Sequence, residues 1–151
     1  MCLFYIYMEV VISNMKKVQR KINYKLKKIS ENKKQQKDFC DYKTKYTLEE
    51  RKNQAKLIME KYPERFPIIC EVSQQLPSLD KHKYLIPGDL KSETFIFIIR
   101  KRINLPPEQA MYFFINNKVM VCSSTMAQLY ERHKDDDGFL YIYACAESTF
   151  G

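Results

Sequence analysis

The residues able to do chemistry are few and poorly arranged for catalysis. Five cysteines, Cys2, Cys40, Cys70, Cys122 and Cys145, are spread along 151 residues with only two histidines, His82 and His133. The cysteine number is odd and no C-x-x-C occurs. This argues against a disulfide framework or a zinc site and fits a reducing compartment. No cysteine–histidine pair has a recognisable local signature, and three glycines do not build a glycine-rich phosphate loop. An enzyme with its own nucleophile, metal or cofactor is therefore not expected. Gly151 offers a different chemistry. It stands at the end of the sequence behind Phe150. A glycine carboxyl has no side chain to hinder it, so it can thread a narrow channel and present its acyl carbon to another protein's nucleophile. A last glycine alone is a weak signal, and its meaning depends on the body that carries it.

That body is electrically neutral. The net charge is +8, but residues 1–37 hold ten Lys/Arg against Glu9 and Glu31, and residues 38–151 hold 16 of each sign. All the excess charge lies in the N-terminal quarter, which suits an extension able to meet anions. With 45% hydrophobic residues a packed core is expected. No run approaches the ~20 apolar residues of a membrane-spanning helix. The apolar start, residues 1–12, is short, is interrupted by Glu9 and lacks the basic region of a signal peptide. In residues 15–37, Val18, Ile22, Leu26 and Ile29 fall at helical spacing. Three readings stay open for this tract: a basic amphipathic helix on an anionic surface, a solvated tail, or a start site upstream of a true one at Met15.

The remaining sequence divides into short elements. Asp38 to Lys45 reads as a helix carrying Phe39 and Tyr42. Thr47 and Glu50 form a capping box, opening a second helix that runs to about Lys61 with Leu48, Arg51, Ala55 and Ile58 on one face. RFPIICEV (65–72) and KYLIP (83–87) read as strands, with Pro67 at an edge or a ladder-free position. SETFIFIIRKRI (92–103) has Phe95, Ile98, Ile99 and Arg102 near a 3.6 period and predicts a helix capped by Ser92. MYFFI (111–115) predicts a strand followed by a turn at Asn116-Asn117. Residues 124–133 predict a helix with Met126, Leu129 and Tyr130 inward, then an acidic turn over 135–138 and a last strand over 139–144. The order predicts an α+β fold: a mixed four-stranded sheet wrapped on one central helix, the ubiquitin-like β-grasp. The expected organisation is an extension over 1–37, a domain over 38–146 and an exposed tail over 147–151.

These segments resemble the GABARAP and light-chain-3 family of autophagy ubiquitin-like modifiers. The resemblance is carried by KYPERFPIIC (61–70), LDKHKYLIPGDL (79–90), FIIRKRINLPPEQA (97–110), FFINNKV (113–119), MAQLYERHKDDDGFLYIYA (126–144) and the closing STFG. Six blocks in order over residues 39–151 are far more specific than any one motif. The resemblance implies a ubiquitin-like fold with two added N-terminal helices. It also implies that Gly151 is activated as a thioester on carrier enzymes and joined to the amine of phosphatidylethanolamine. No other cofactor is implied. The implied partners are activating and conjugating enzymes, a deconjugating cysteine protease, and a membrane reached through the lipid. No specific nucleic acid is expected. A monomer is expected, cytoplasmic or on autophagosome-type or related organelle membranes. Because no residue follows Gly151, maturation by proteolysis is expected to be unnecessary.

Relatives also bind an extended peptide bearing an aromatic residue and, three positions on, an aliphatic one. Carried over by position, the resemblance implies an aromatic pocket of Ile58, Pro67, Ile69, Lys83, Leu85 and Phe139. It implies an aliphatic pocket of Tyr84, Ile86, Pro87, Leu90, Phe95 and Ile98, with Arg65 beside it. Phe95, Ile98 and Ile69 read equally as core residues that line a pocket only from beneath. The chain departs from the family pattern at Gln54, where many relatives have Glu. It departs again at Met120-Val121, which replaces a common Pro-Pro, and in its long basic extension. Two alternative functions remain at this level: a ubiquitin-like interaction module that is never conjugated, and a tubulin or anionic-surface binder acting through the extension.

Overall fold

The computed structural model describes residues 16–21, 23, 24, 27 and 41–146. The chain divides into two compact units, Met1–Phe39 and Cys40–Gly151. In the first, the described residues are helical and exposed, Val18 among them at 56%. Ile22, Leu26 and Ile29 of the expected apolar stripe lie outside the described residues.

The second unit begins with helix α1 (Asp41–Lys45) and α2 (Leu48–Lys61). Residues 38–40 of the expected first helix, Phe39 included, lie outside the described residues. The capping box that opens α2 is present: Thr47 accepts from the Glu50 N–H while the Glu50 carboxylate accepts from the Thr47 N–H at 2.8 Å. Strands β1 (Arg65–Val72) and β2 (Lys83–Pro87) follow, then α3 (Ser92–Arg102), β3 (Met111–Ile115), β4 (Lys118–Val119), α4 (Met126–His133) and β5 (Leu140–Ala146). Among the described residues the sheet has five strands in the order β2-β1-β5-β3-β4, rather than the four expected. The additional strand is the two-residue β4, with both residues exposed. It folds back on β3 because Asn116 and Asn117 both adopt positive φ, +48° and +63°, the backbone of a tight hairpin turn. β1 and β5 pair in parallel and the other pairs are antiparallel.

Strand alternation gives the sheet two different faces. Ile68, Cys70, Tyr84, Ile86, Leu140 and Ile142 point to one face and pack with Phe95 and Ile99 of α3 and Met126, Leu129 and Tyr130 of α4. Full burial of each large apolar side chain there contributes roughly 1.5–3 kcal/mol. On the other face Ile69 and Phe139 form a smaller cluster with Ala55 and Ile58 of α2 and Tyr42 of α1. The two N-terminal helices therefore cover the back of a ubiquitin-like sheet.

Two local expectations are corrected. Ser92 does not cap α3: Lys91 holds the cap position, and the Ser92 hydroxyl, fully buried, donates to the Val121 carbonyl at 2.8 Å. Leu48 points to solvent at 45% exposure, because α2 turns only Ala55 and its neighbours to the sheet. The acidic turn over 135–138 is present, with Asp137 buried within it. Pro67 lies in an interior strand, yet it precedes the first β1–β5 pair, Ile68 with Leu140, so its missing N–H costs no ladder bond.

Candidate functional site

Among the described residues β2 is an outer strand of the sheet, paired only with β1. The Cys70 N–H donates to the His82 carbonyl at 2.8 Å and the Gly88 N–H to the Glu64 carbonyl at 3.4 Å. With the register fixed by these two bonds, Tyr84 and Ile86 exchange backbone bonds with β1 and the backbone groups of Lys83 and Leu85 point away from the sheet. The edge thus presents main-chain donors and acceptors unpaired among the described residues, flanked by different side-chain sets on its two faces.

On the α2 face the six residues expected in the aromatic pocket come together. Register pairs Pro67 with Leu85 and Ile69 with Lys83. Ile69 and Phe139 are fully buried and form the floor, Pro67 is buried between them and the edge, and Ile58, Lys83 and Leu85 are half-buried. Lys83 forms the roof. Its Nζ lies 5.3 Å from the Tyr42 ring centroid and 5.7 Å from that of Phe139, and donates to Gln54 Oε1 at 2.8 Å. The Tyr42 hydroxyl donates to the same oxygen at 2.5 Å. Burial pulls the Lys83 ammonium below its ordinary pKa. Burial, aided by Tyr46 and Asp137, pushes the Tyr42 phenol up to about 12.

Sequence reasoning missed what holds this floor in place. Asp137 accepts from the Arg51 guanidinium, from the Tyr141 hydroxyl at 2.6 Å and from the Phe139 N–H at 2.9 Å. One buried carboxylate thereby ties α2, β5 and the backbone of the floor residue together. Gly138 makes the turn feasible. Its φ is +87°, and an added Cβ would stand 3.0 Å from the Ala55 Cβ. Lys43 of α1 pairs with Asp135 beside this network and stacks on Tyr141 at 4.4 Å. Tyr42, Arg51 and Asp137 carried only a weak sequence signal, since a tyrosine in a short helix and an acidic turn are both ordinary surface features.

The residues expected in the aliphatic pocket are divided by strand parity. Tyr84, Ile86 and Phe95 lie on the α3 face within the main core, with the Tyr84 and Phe95 rings edge-on at 5.9 Å. Leu90 and Ile98 are half-buried beside them. Pro87 and the exposed Arg65 pair in register on the opposite face, with Leu85. Gly151, with the rest of the tail over 147–151, lies outside the described residues, and β5 ends at Ala146. Among the described residues no group of three metal-binding side chains occurs, and no helix is long and apolar enough to cross a membrane.

A mixed sheet wrapped on α3, preceded by two helices on its other face, defines a ubiquitin-like protein. The family model described as "Autophagy protein Atg8 ubiquitin like" matches residues 50–151. Autophagy-related protein 8 of Candida glabrata is 46% identical over 112 residues, covering 73% of this chain and 95% of that protein. Autophagy-related protein 8d of Arabidopsis thaliana is 43% identical over 115 residues, 75% of this chain and 96% of that protein. The crystal structure of Trypanosoma brucei ATG8 superposes with a TM-score of 0.69 at 39% identity, covering 75% of this chain and 99% of that one. Plasmodium falciparum Atg8, solved in complex with a P. falciparum Atg3 peptide, gives 0.65 at 32% identity, covering 70% of this chain and 95% of that one. The chain belongs to the Atg8 family of ubiquitin-like autophagy proteins.

Proposed function

We propose that this protein is a conjugated modifier. In this reading its Gly151 carboxyl is activated as a thioester and then forms an amide with the amine of phosphatidylethanolamine, releasing the carrier thiol. The lipid-bound protein recruits peptide partners on autophagosome or related membranes, and the unconjugated form is cytoplasmic. Activating and conjugating enzymes and a deconjugating cysteine protease act on the tail. The chain supplies the acyl group and no catalysis of its own. In keeping with this, burial pushes the Cys70 thiol up and the Cys145 thiol to about 11, which disfavours the nucleophilic thiolate.

The observation that carries the docking half of this reading is the open β2 edge with apolar sets on both faces. A peptide added as a strand would exchange backbone bonds with Lys83 and Leu85. Residues three apart on a strand point to opposite faces, so an aromatic-x-x-aliphatic peptide suits one pocket on the α2 face and one on the α3 face. The first set gathers at Lys83 and Leu85 and the second toward Ile86 and Leu90, so the peptide would run parallel to β2. The peptide complex of the P. falciparum relative supports peptide docking in this family.

Intact-mass measurement of the membrane-bound protein from its native cells, beside Gly151→Ala, tests the conjugation. A mass increase equal to phosphatidylethanolamine that is absent from the variant is expected. An unmodified mass on the membrane would replace this reading with an interaction module that is never conjugated.

A further inference from the structure

Neither the conjugation nor the peptide docking proposed above uses the N-terminal unit, and its chemistry is of a different kind. Residues 15–29, MKKVQRKINYKLKKI, hold seven Lys/Arg and no acidic residue. The described residues among them, 16–21, 23, 24 and 27, are helical and exposed. The Gln19 side-chain amide donates to Asn23 Oδ1 at 3.2 Å, a bond between neighbours one turn apart.

A helix turns about 100° per residue, so the spacing of Met15, Val18, Ile22, Leu26 and Ile29 in the sequence confines them to an arc of about 80°. Lys16, Lys17, Arg20, Lys21, Lys27 and Lys28 fall on the opposite side by the same spacing, and Lys25 falls at the border of the apolar arc. Val18, the described member of the stripe, is 56% exposed. Lys16, Lys17, Arg20 and Lys21 make no ion pair among the described residues. The tract therefore joins an apolar stripe to a basic face without internal counter-ions.

Two features together select the partner. Cations alone attract any polyanion, but a nucleic-acid backbone gives an apolar stripe nothing to enter. A second copy could cover the stripe, but it would bring seven more cations alongside the first seven. An anionic bilayer satisfies both features, because its acyl boundary takes the stripe while its headgroups surround the cations. A lysine at the border, such as Lys25, can lay its methylenes along the apolar side and reach a headgroup with its ammonium.

We propose that residues 15–29 act as an amphipathic docking helix for anionic lipid bilayers, holding the chain on the membrane surface with no lipid attached to Gly151. Residues 38–151 carry 16 charges of each sign, so the preference for anionic lipid comes from the N-terminal unit. The contact is reversible, as suits one amphipathic helix.

The test is vesicle flotation with the full chain and no conjugating enzyme present, so that its outcome does not depend on the chemistry proposed for Gly151. Wild type is expected to bind phosphatidylcholine vesicles containing about one-third phosphatidylserine at least about tenfold more tightly than phosphatidylcholine alone, and to gain helical circular dichroism on binding. Val18→Gln combined with Leu26→Gln keeps the charge and removes two members of the stripe; binding to the mixed vesicles is expected to weaken about tenfold. Arg20→Gln combined with Lys21→Gln is expected to weaken it about twentyfold while leaving the neutral vesicles unaffected. Equal binding of wild type to both vesicle types, or binding to neither, overturns the inference. So does mixed-vesicle binding that is unchanged in the Val18→Gln, Leu26→Gln protein, which would mark the tract as a charge-only site of the kind nucleic acids occupy.

Discussion

Replacing Asp137 by alanine removes the carboxylate that joins the N-terminal helices to the sheet. Its side chain is fully buried, and the Arg51 side chain opposite it is only 11% exposed. Taking one partner from a buried ion pair costs roughly 3–5 kcal/mol, because the other charge is left without compensation. The Phe139 N–H and Tyr141 hydroxyl also lose their acceptor, but Tyr141 is half-buried and can turn to water. Arg51 keeps its bond to the Tyr46 carbonyl at 3.2 Å, which limits the damage. A net loss of about 4 kcal/mol is therefore expected, a large share of the 5–15 kcal/mol typical of a domain. Asp137→Asn retains an acceptor for Phe139 and is expected to lose about half as much. Adding Arg51→Ala to Asp137→Ala is expected to cost less than the sum of the single changes, since no orphan charge remains. Urea unfolding followed by circular dichroism measures wild type, the three single variants and the double variant. A loss below about 1 kcal/mol in Asp137→Ala would refute the assignment of this carboxylate as a lock between helices and sheet.

Other consequences are smaller and separate. Leu85→Ala shrinks a pocket wall on the open edge and is expected to weaken binding of an aromatic-x-x-aliphatic peptide by about tenfold, from the ~1–2 kcal/mol of lost apolar contact; unchanged affinity in calorimetry would count against the pocket. Gly138→Ala places a Cβ at positive φ and 3.0 Å from Ala55, and thermal melting is expected to show a loss of about 1–2 kcal/mol. Burial opposes ionisation of Asp135, yet hydrogen bonding and charge from Lys43 and the Asp136 N–H hold its carboxyl below the ordinary value. A depressed folded-state pKa means that its stabilisation is present above the unfolded-state pKa, near 4, and is lost as pH falls through the lower folded-state value. Lys43 is more than a third exposed, so this contribution is under about 1 kcal/mol. Lys43→Met should flatten the stability profile below pH 4, and an identical acid limb would show that the pair is not the cause.

The elements that were legible owe it to strong local chemistry. β-branched runs marked β1 and β2, the spacing of Phe95, Ile98 and Ile99 marked α3, and the Thr47–Glu50 box marked the start of α2. β4 escaped because two exposed residues carry no alternation to read, although the Asn116-Asn117 turn that creates it was visible. Ser92 misled because a hydroxyl suits an N-cap and an interior bond equally well. Only the position of Val121 chose between them. The division of the aliphatic set between the two sheet faces follows from parity once register is known, and register is a property of two strands together.

By itself the sequence determined the family and the order of the main elements, because each is written in short-range pattern. Tertiary structure decided which strand is left open, which side chains share a face, and that Asp137 is buried against Arg51 from 86 residues away. It also decided that Lys83 meets Gln54 and two aromatic rings in place of a carboxylate. Such choices depend on burial and on partners brought together by packing. A charge behaves as solvated surface or as a buried constraint according to what the rest of the chain places next to it.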